Sequence, residues 1–237
     1  MKITFLGTSH GVPEPNRRCS CSMIEVSGRY YFIDMGVMLF DDLIKRGICP
    51  DDVKAVFFTH MHGDHTNGLP HFVDLLSWYF KTPDPVIHLP RMEMRDAANA
   101  WLKATGTPPR DLQYKQVIDG PLYDDGFLKV TAVATQHCPD SFSYLVEAEG
   151  KLVLFTGDLK RPGVDFPELA KTKALDLVVC ESAHFPATEY LPIFEANPPK
   201  QVCVTHYSPR FHKTVFELRE QTSIPVQFAT DNLELLL

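Results

Sequence analysis

The chain has 237 residues, 44% of them apolar and 22% charged, enough for one sizeable globular domain with an ordinary core. A formal charge of −7 removes the electrostatic reason to expect strong binding to nucleic acid or to an anionic membrane. No apolar run reaches the ~18 residues of a spanning helix, and MKITFLGTSH reads as a first strand rather than a signal peptide, so a cytoplasmic protein with no membrane partner is expected.

A first strand is predicted over Lys2–Leu6. A hairpin follows, Ser22–Val26 against Tyr30–Ile33, turning at Ser27-Gly28-Arg29. The Gly/Pro/Asn-rich GTSHGVPEPNRR between them is a loop. A helix over about 37–46 should stop at Gly47, before a strand at Val53–Phe58. Leu69–Phe80 reads as a helix whose start is set by Pro70, Val86–Leu89 as a strand, and Arg91–Thr105 as a helix ended by Gly106. TGTPPRDLQYKQV reads as irregular. Strands are expected near 127–134, 142–147 and 151–155, then at Leu175–Cys180 and Gln201–Thr205. Helices are expected near 188–196 and at His212–Gln221, with terminal strands at Val226–Phe228 and Leu233–Leu237. An early and a late set of strands with interleaved helices predicts a mixed α/β (α+β) sandwich, taken as one domain over 1–237 with a helical elaboration at about 71–110. The six cysteines read as reduced, and Cys138, if on a strand, points away from His137.

Polar residues recur where apolar strands end. AVFF leads to Thr59-His60-Met61-His62-Gly63-Asp64-His65, KVTAVATQ to His137, LVLFTG to Asp158, DLVVC to Glu181-Ser182-Ala183-His184, and QVCVT to His206. Imidazole and carboxylate both bind Zn²⁺ and similar ions, and a tight turn lets alternate residues converge, with Gly63 permitting the turn. His60 and His62 can share one metal, and Asp64 and His65 a second. Four ionisable groups at one turn would be costly to desolvate with nothing to satisfy them. Taken alone, His137 reads first as a hydrogen-bonded structural histidine, and Asp158 and His206 stand between turn or strand residue and ligand. His71 and His88 read as structural, His10 and His212 as rim residues, and Asp34 as an acid that orients a ligand from behind.

These residues resemble the metallo-β-lactamase superfamily over nearly the whole chain: Asp34, THMHGDH, His137, Asp158 and His206 match its motifs in order. The resemblance implies a four-layer αββα sandwich. It also implies His60, His62 and His137 on one divalent ion, Asp64, His65 and His206 on a second, and Asp158 between them. Within the superfamily, FLGT, the proline and arginine of VPEPNRR, NGLP and THYSPRF resemble the ribonuclease Z and small phosphodiesterase branch. That likeness implies that His184, 22 residues before His206, protonates a leaving group and that Glu181 tunes it. Only 22 residues separate Asp158 from Glu181, which leaves no room for the branch's tRNA-gripping arm, so tRNA is not an expected partner.

The expected activity is metal-dependent hydrolysis of a small molecule, first a phosphodiester such as a cyclic nucleotide. A water activated by two metals would attack, with Asp64, His184 and Glu181 as the catalytic residues. The alternatives are a lactone, thioester or other carboxylic ester, with Tyr207 a candidate to polarise the carbonyl, and a non-catalytic metal-binding sensor. Zn²⁺ is the first choice of ion, with Mn²⁺ or Fe²⁺ as alternatives. Trp78, Tyr79, Phe80, Met92, Met94 and Trp101 read either as packing or as a pocket cover or homodimer face.

Overall fold

The computed structural model describes every residue except Pro13. Fourteen strands form two seven-stranded sheets. The first sheet is built from β1 (Lys2–Gly7), β2 (Cys21–Val26), β3 (Arg29–Ile33), β4 (Val53–Phe57), β5 (Val86–Leu89) and β6 (Tyr114–Gln116). The second contains β7 (Gly120–Asp124), β8 (Lys129–Ala134), β9 (Phe142–Ala148), β10 (Lys151–Phe155), β11 (Leu177–Ser182), β12 (Val202–Tyr207) and β13 (Val226–Phe228). The terminal β14 (Glu234–Leu236) returns to the first sheet beside β1.

Each sheet changes character half-way. Strands β1 to β3 and β7 to β10 pair antiparallel, whereas β3 to β6 and β10 to β13 pair parallel. The antiparallel hairpins turn at Ser27-Gly28 and Glu149-Gly150, with both residues of each turn at positive φ, the geometry that matches strand twist. The central parallel strands β4, β10, β11 and β12 are largely apolar on both faces, as sheets covered on both sides require. In β11, Leu177 and Val179 face the inter-sheet core with Phe57, Tyr144 and Phe155, while Val178 and Cys180 face an outer layer.

That outer layer on the second sheet holds α6 (Glu168–Lys171), α7 (Leu191–Ala196) and α8 (His212–Gln221), through Ala170, Phe194, Val215 and Leu218. On the first sheet, α1 (Leu39–Arg46), α3 (Leu69–Trp78) and α4 (Glu93–Thr105) supply Phe40, Phe72 and Leu102. The result is helix, sheet, sheet, helix: the αββα sandwich.

The differences from expectation are local. TGTPPRDLQYKQV is not wholly irregular: it ends in β6, and β7 follows. Both were unreadable because they are short, partly polar edge segments without alternation. The motif loop contains one helical turn, α2 (Gly63–Thr66). Gly63 has no positive φ and starts that turn, so a left-handed bend is not its role. The stretch after Asp158 holds α5 (Pro162–Asp165) as well as α6, each a single turn too short for periodicity. Cys138 lies on the loop after β8, not on a strand. Segment 71–110 carries β5 within the first sheet. Phe80, Met92 and Met94 pack on the core there, whereas Trp78, Tyr79 and Trp101 are exposed.

Candidate metal centre

The parallel strands end at one rim of the sandwich, the edge where ligands of open parallel sheets bind, because loops there project from fixed strand ends. The β4 exit places His60 within the core edge, and α2 turns His65 inward behind it while His62 and Asp64 stay nearer solvent. The second sheet brings His137 after β8, Asp158 after β10, Glu181 and His184 at the end of β11, and His206 in β12.

Two devices aim the second-sheet residues. Between β11 and β12 the register runs Cys180 to Val204 and then Ser182 to Tyr207, so Thr205 and His206 together oppose Glu181. This bulge, with His206 at φ +44, breaks the strand's alternation and turns its imidazole into the rim. Before Asp158, Gly157 sits at φ +57, and a Cβ there would lie 2.8 Å from the Phe142 carbonyl oxygen. Only glycine allows the chain to pass so close.

The donors converge on Asp158. Its Oδ2 lies 3.7 Å from His60 Nε2, 3.6 Å from His65 Nε2, 3.7 Å from His137 Nε2 and 3.5 Å from His206 Nε2. Asp64 Oδ2 stands 3.3 Å from His65 Nε2 and 3.7 Å from His206 Nε2. Among the described residues, four groups have donor atoms within 4.8 Å of one another: His60, His62 and His137; Asp64, His65 and His206; His60, His65 and Asp158; and His137, Asp158 and His184.

The chemistry of this set fits divalent cations. Buried His65 Nε2 and Asp158 Oδ1 have no hydrogen-bond partner, a costly state for a polar atom nothing satisfies. His62 Nδ1 faces two other imidazole nitrogens, His60 Nε2 at 2.9 Å and His137 Nε2 at 3.3 Å. Imidazole nitrogens and carboxylate oxygens gathered in this way are the donor types that divalent metal ions take.

Burial, reinforced by His65, pushes His60 down to about 2, keeping it a neutral imidazole with a free lone pair. Burial works against charge on His65 as well, yet Asp34 and Asp158 hold its pKa above the ordinary value. For Asp158, burial is overcome by His206, His65 and His60, and the carboxyl lies well below its usual range.

Asp34 lies on the core side of these donors. At φ +61 and 2% exposed, it takes hydrogen bonds from the Thr59 amide (2.8 Å) and hydroxyl (3.0 Å), and its Oδ2 lies 2.7 Å from His65 Nδ1. That contact leaves Nε2 of His65 facing the centre. Thr59, overlooked in the sequence although it opens the motif, also sits 3.0 Å from His60 Nδ1.

His184 lies at the mouth, its side chain 40% exposed, with Nδ1 3.0 Å from both oxygens of buried Glu181 and 3.8 Å from Asp158 Oδ2. The Glu181 hydrogen bond raises His184 to about 9 against the opposing effect of burial, while burial pushes Glu181 up. Glu181 also accepts the amides of Leu159 (2.9 Å) and Ala183 (2.8 Å), tying the Asp158 loop to the His184 loop. Tyr207 points elsewhere: its ring lies 3.7 Å beneath the Arg17 guanidinium and stacks on His212, lining a separate cavity with Glu14 and Pro209. His10 borders this region through a 3.2 Å contact with Glu14. His71 and His88 lie outside the donor groups, and His88 is fully buried with neither ring nitrogen partnered.

Comparison with known families decides the relationship: a model described as Anti-Pycsar protein Apyc1 matches residues 1–224. The chain belongs to that family. It is also similar to ribonuclease Z of Exiguobacterium sp., 29% identical over 207 residues, covering 86% of this chain and 68% of that protein. The chain spans 55 to 64% of ribonuclease Z and BN relatives from Prochlorococcus marinus and Cronobacter sakazakii. Among solved structures, the short form of human tRNase Z superposes over 100% of this chain and 99% of its own, with a TM-score of 0.79 at 21% identity. The metallo-β-lactamase fold protein YhfI of Bacillus subtilis gives 0.77 at 17%, covering 99% and 98%. The fold is the metallo-β-lactamase fold.

Proposed function

We propose that the chain hydrolyses a phosphodiester, a cyclic nucleotide or another small phosphodiester, with two divalent ions at the rim. His60, His62 and His137 would hold one ion and Asp64, His65 and His206 the other, with Asp158 between them and Zn²⁺ the first choice. Such a pair supplies a water of lowered pKa and a positive seat for phosphoryl oxygens.

The observation that carries this reading is the His184–Glu181 pair. Glu181 lies 3.0 Å from Nδ1, which leaves Nε2 of the exposed imidazole to carry the proton that goes to a departing alkoxide. Asp64, half-buried beside His65, is placed to accept a hydrogen bond from the attacking water. The turn of Tyr207 away from the donors removes the residue that a lactone-type reading would use to polarise a carbonyl. The 22 residues between Asp158 and Glu181 are taken up by α5, α6 and the start of β11, and the chain carries a charge of −7. Both weigh for a small substrate rather than tRNA.

The test is a panel of bis-nitrophenyl phosphate, 2′,3′- and 3′,5′-cyclic nucleotides, lactones, a thioester and aryl sulfates, run on protein of measured metal content. Fastest turnover is expected on the phosphodiesters. Preference for a lactone or thioester, or bound metal with no turnover at all, overturns the proposal.

A further inference from the structure

His137 and Asp158 lie on loops rather than in strands, so no ladder of backbone hydrogen bonds holds either donor in place. The geometry points to Asp165 as the positioning residue that locks these two loops together, an inference that rests on the metal reading above. Asp165 closes α5 and is 8% exposed. Its Oδ2 accepts the Gln136 amide at 2.8 Å and the Lys160 amide at 2.9 Å, and its Oδ1 accepts the Arg161 amide at 3.1 Å. Gln136 adjoins His137, and Lys160 lies two residues beyond Asp158.

A capping role for α5 alone would need only the amides of its own turn, Lys160 and Arg161. The Gln136 bond instead crosses from the second sheet's α5 loop to the β8–β9 connection, 29 residues away in the chain. No cation lies within salt-bridge distance of Asp165 among the described residues, so amides from the two loops are what satisfy this buried carboxyl group. The His137 loop is also tied within itself. Ser141 Oγ donates to the Cys138 carbonyl at 2.8 Å and accepts from Thr135 Oγ1 at 2.7 Å, bracketing His137 from both sides. With the Asp165 link cut, the His137 loop keeps its internal turn and the long 3.4 Å contact of Thr135 Oγ1 with the Asp158 carbonyl oxygen, but loses the short amide–carboxylate link to the Asp158 loop. Both groups that contain His137 then loosen, while Asp64, His65 and His206 stay in place.

The experiment compares wild type, Asp165→Asn and Asp125→Asn by Co²⁺ titration against a chromogenic chelator and by the visible spectrum of the bound Co²⁺. Asp125 is the control: it accepts the Phe127 amide at 3.0 Å and the Leu128 amide at 2.9 Å, in the β7–β8 turn away from the donors. Asp165→Asn is expected to weaken one of two Co²⁺ equivalents by about 10- to 100-fold, as loss of a partner behind a ligand does, and to change its spectrum. Asp125→Asn should alter neither. Equal affinity and spectrum in wild type and Asp165→Asn overturn the inference and leave the metal reading standing. A wild type that binds no Co²⁺ overturns both. Hydrogen exchange on the metal-free wild type needs no variant to fold: the Gln136 amide should be protected although it lies outside every strand, and exchange at a free-loop rate overturns the inference.

Discussion

The two sheets furnish their donors in opposite ways. The first places His60, His62, Asp64 and His65 on six consecutive positions, where one strand end and the single turn of α2 set the geometry almost locally. The second spreads His137, Asp158 and His206 over three separate strand exits and needs a bulge, a glycine at positive φ and the carboxyl groups of Glu181 and Asp165 to aim them. A contiguous set leans mostly on its own backbone, with Asp34 added behind His65, whereas a dispersed set is only as precise as the links between its loops.

Breaking the point where the halves meet should cost most. Asp158→Asn removes charge from the oxygen that faces His60 and His65 of the first sheet and His137 and His206 of the second. It should lower phosphodiesterase kcat by more than the ~10²-fold typical of a partner behind a ligand, with metal content falling in elemental analysis. Next comes a second-sheet residue outside the proposed ligand set. His184→Ala should keep its metal but lose about 10²- to 10⁴-fold on an alkyl phosphodiester, and much less on a nitrophenyl ester whose leaving group needs no proton. Equal losses on both esters would remove His184 from the role of acid.

Asp34→Ala sharpens the comparison on the first sheet. Thr59 and His65 lose their shared acceptor, and metal affinity should fall about 10- to 100-fold in chelator competition, with the His60, His62 and His137 group less affected. The smallest effect on activity belongs to His88, which stacks on Phe57 within the core. Burial, with Lys115 adding to it, lowers its pKa to about 4. The unfolded chain takes up this proton near pH 6.5 and the folded chain does not, so the wild type loses stability as pH falls from about 6.5 towards 4. His88→Leu should remove that part of the acid-side loss, seen as a flatter dependence of Tm on pH, and leave turnover unchanged.

Much of the centre was legible because its chemistry is written in residue types at strand ends. THMHGDH stands out as a crowd of ligands, and the apolar runs before His137, Asp158, Glu181 and His206 mark their launching points. Strands with clear boundaries, such as Val86–Leu89, and the helix His212–Gln221 were readable for the same reason: periodicity and turn residues are local. The unread parts lack a local signature. The strands β6 and β7 are short edges, α5 and α6 are single turns, and Asp165 is one acid among 30 acidic residues until folding brings Gln136 to it.

By itself, then, the sequence determined the composition of the centre, the order of its donors along the chain and the two sets of strands that carry them, because these follow from side-chain chemistry and short-range backbone preference. Tertiary structure decided where the donors point. The extra residue in β12 that turns His206, the contact that aims His65 from Asp34, and the amides that Asp165 gathers from two loops all join residues distant in the chain. Such distances are set by sheet register and packing, which no local stretch of sequence encodes.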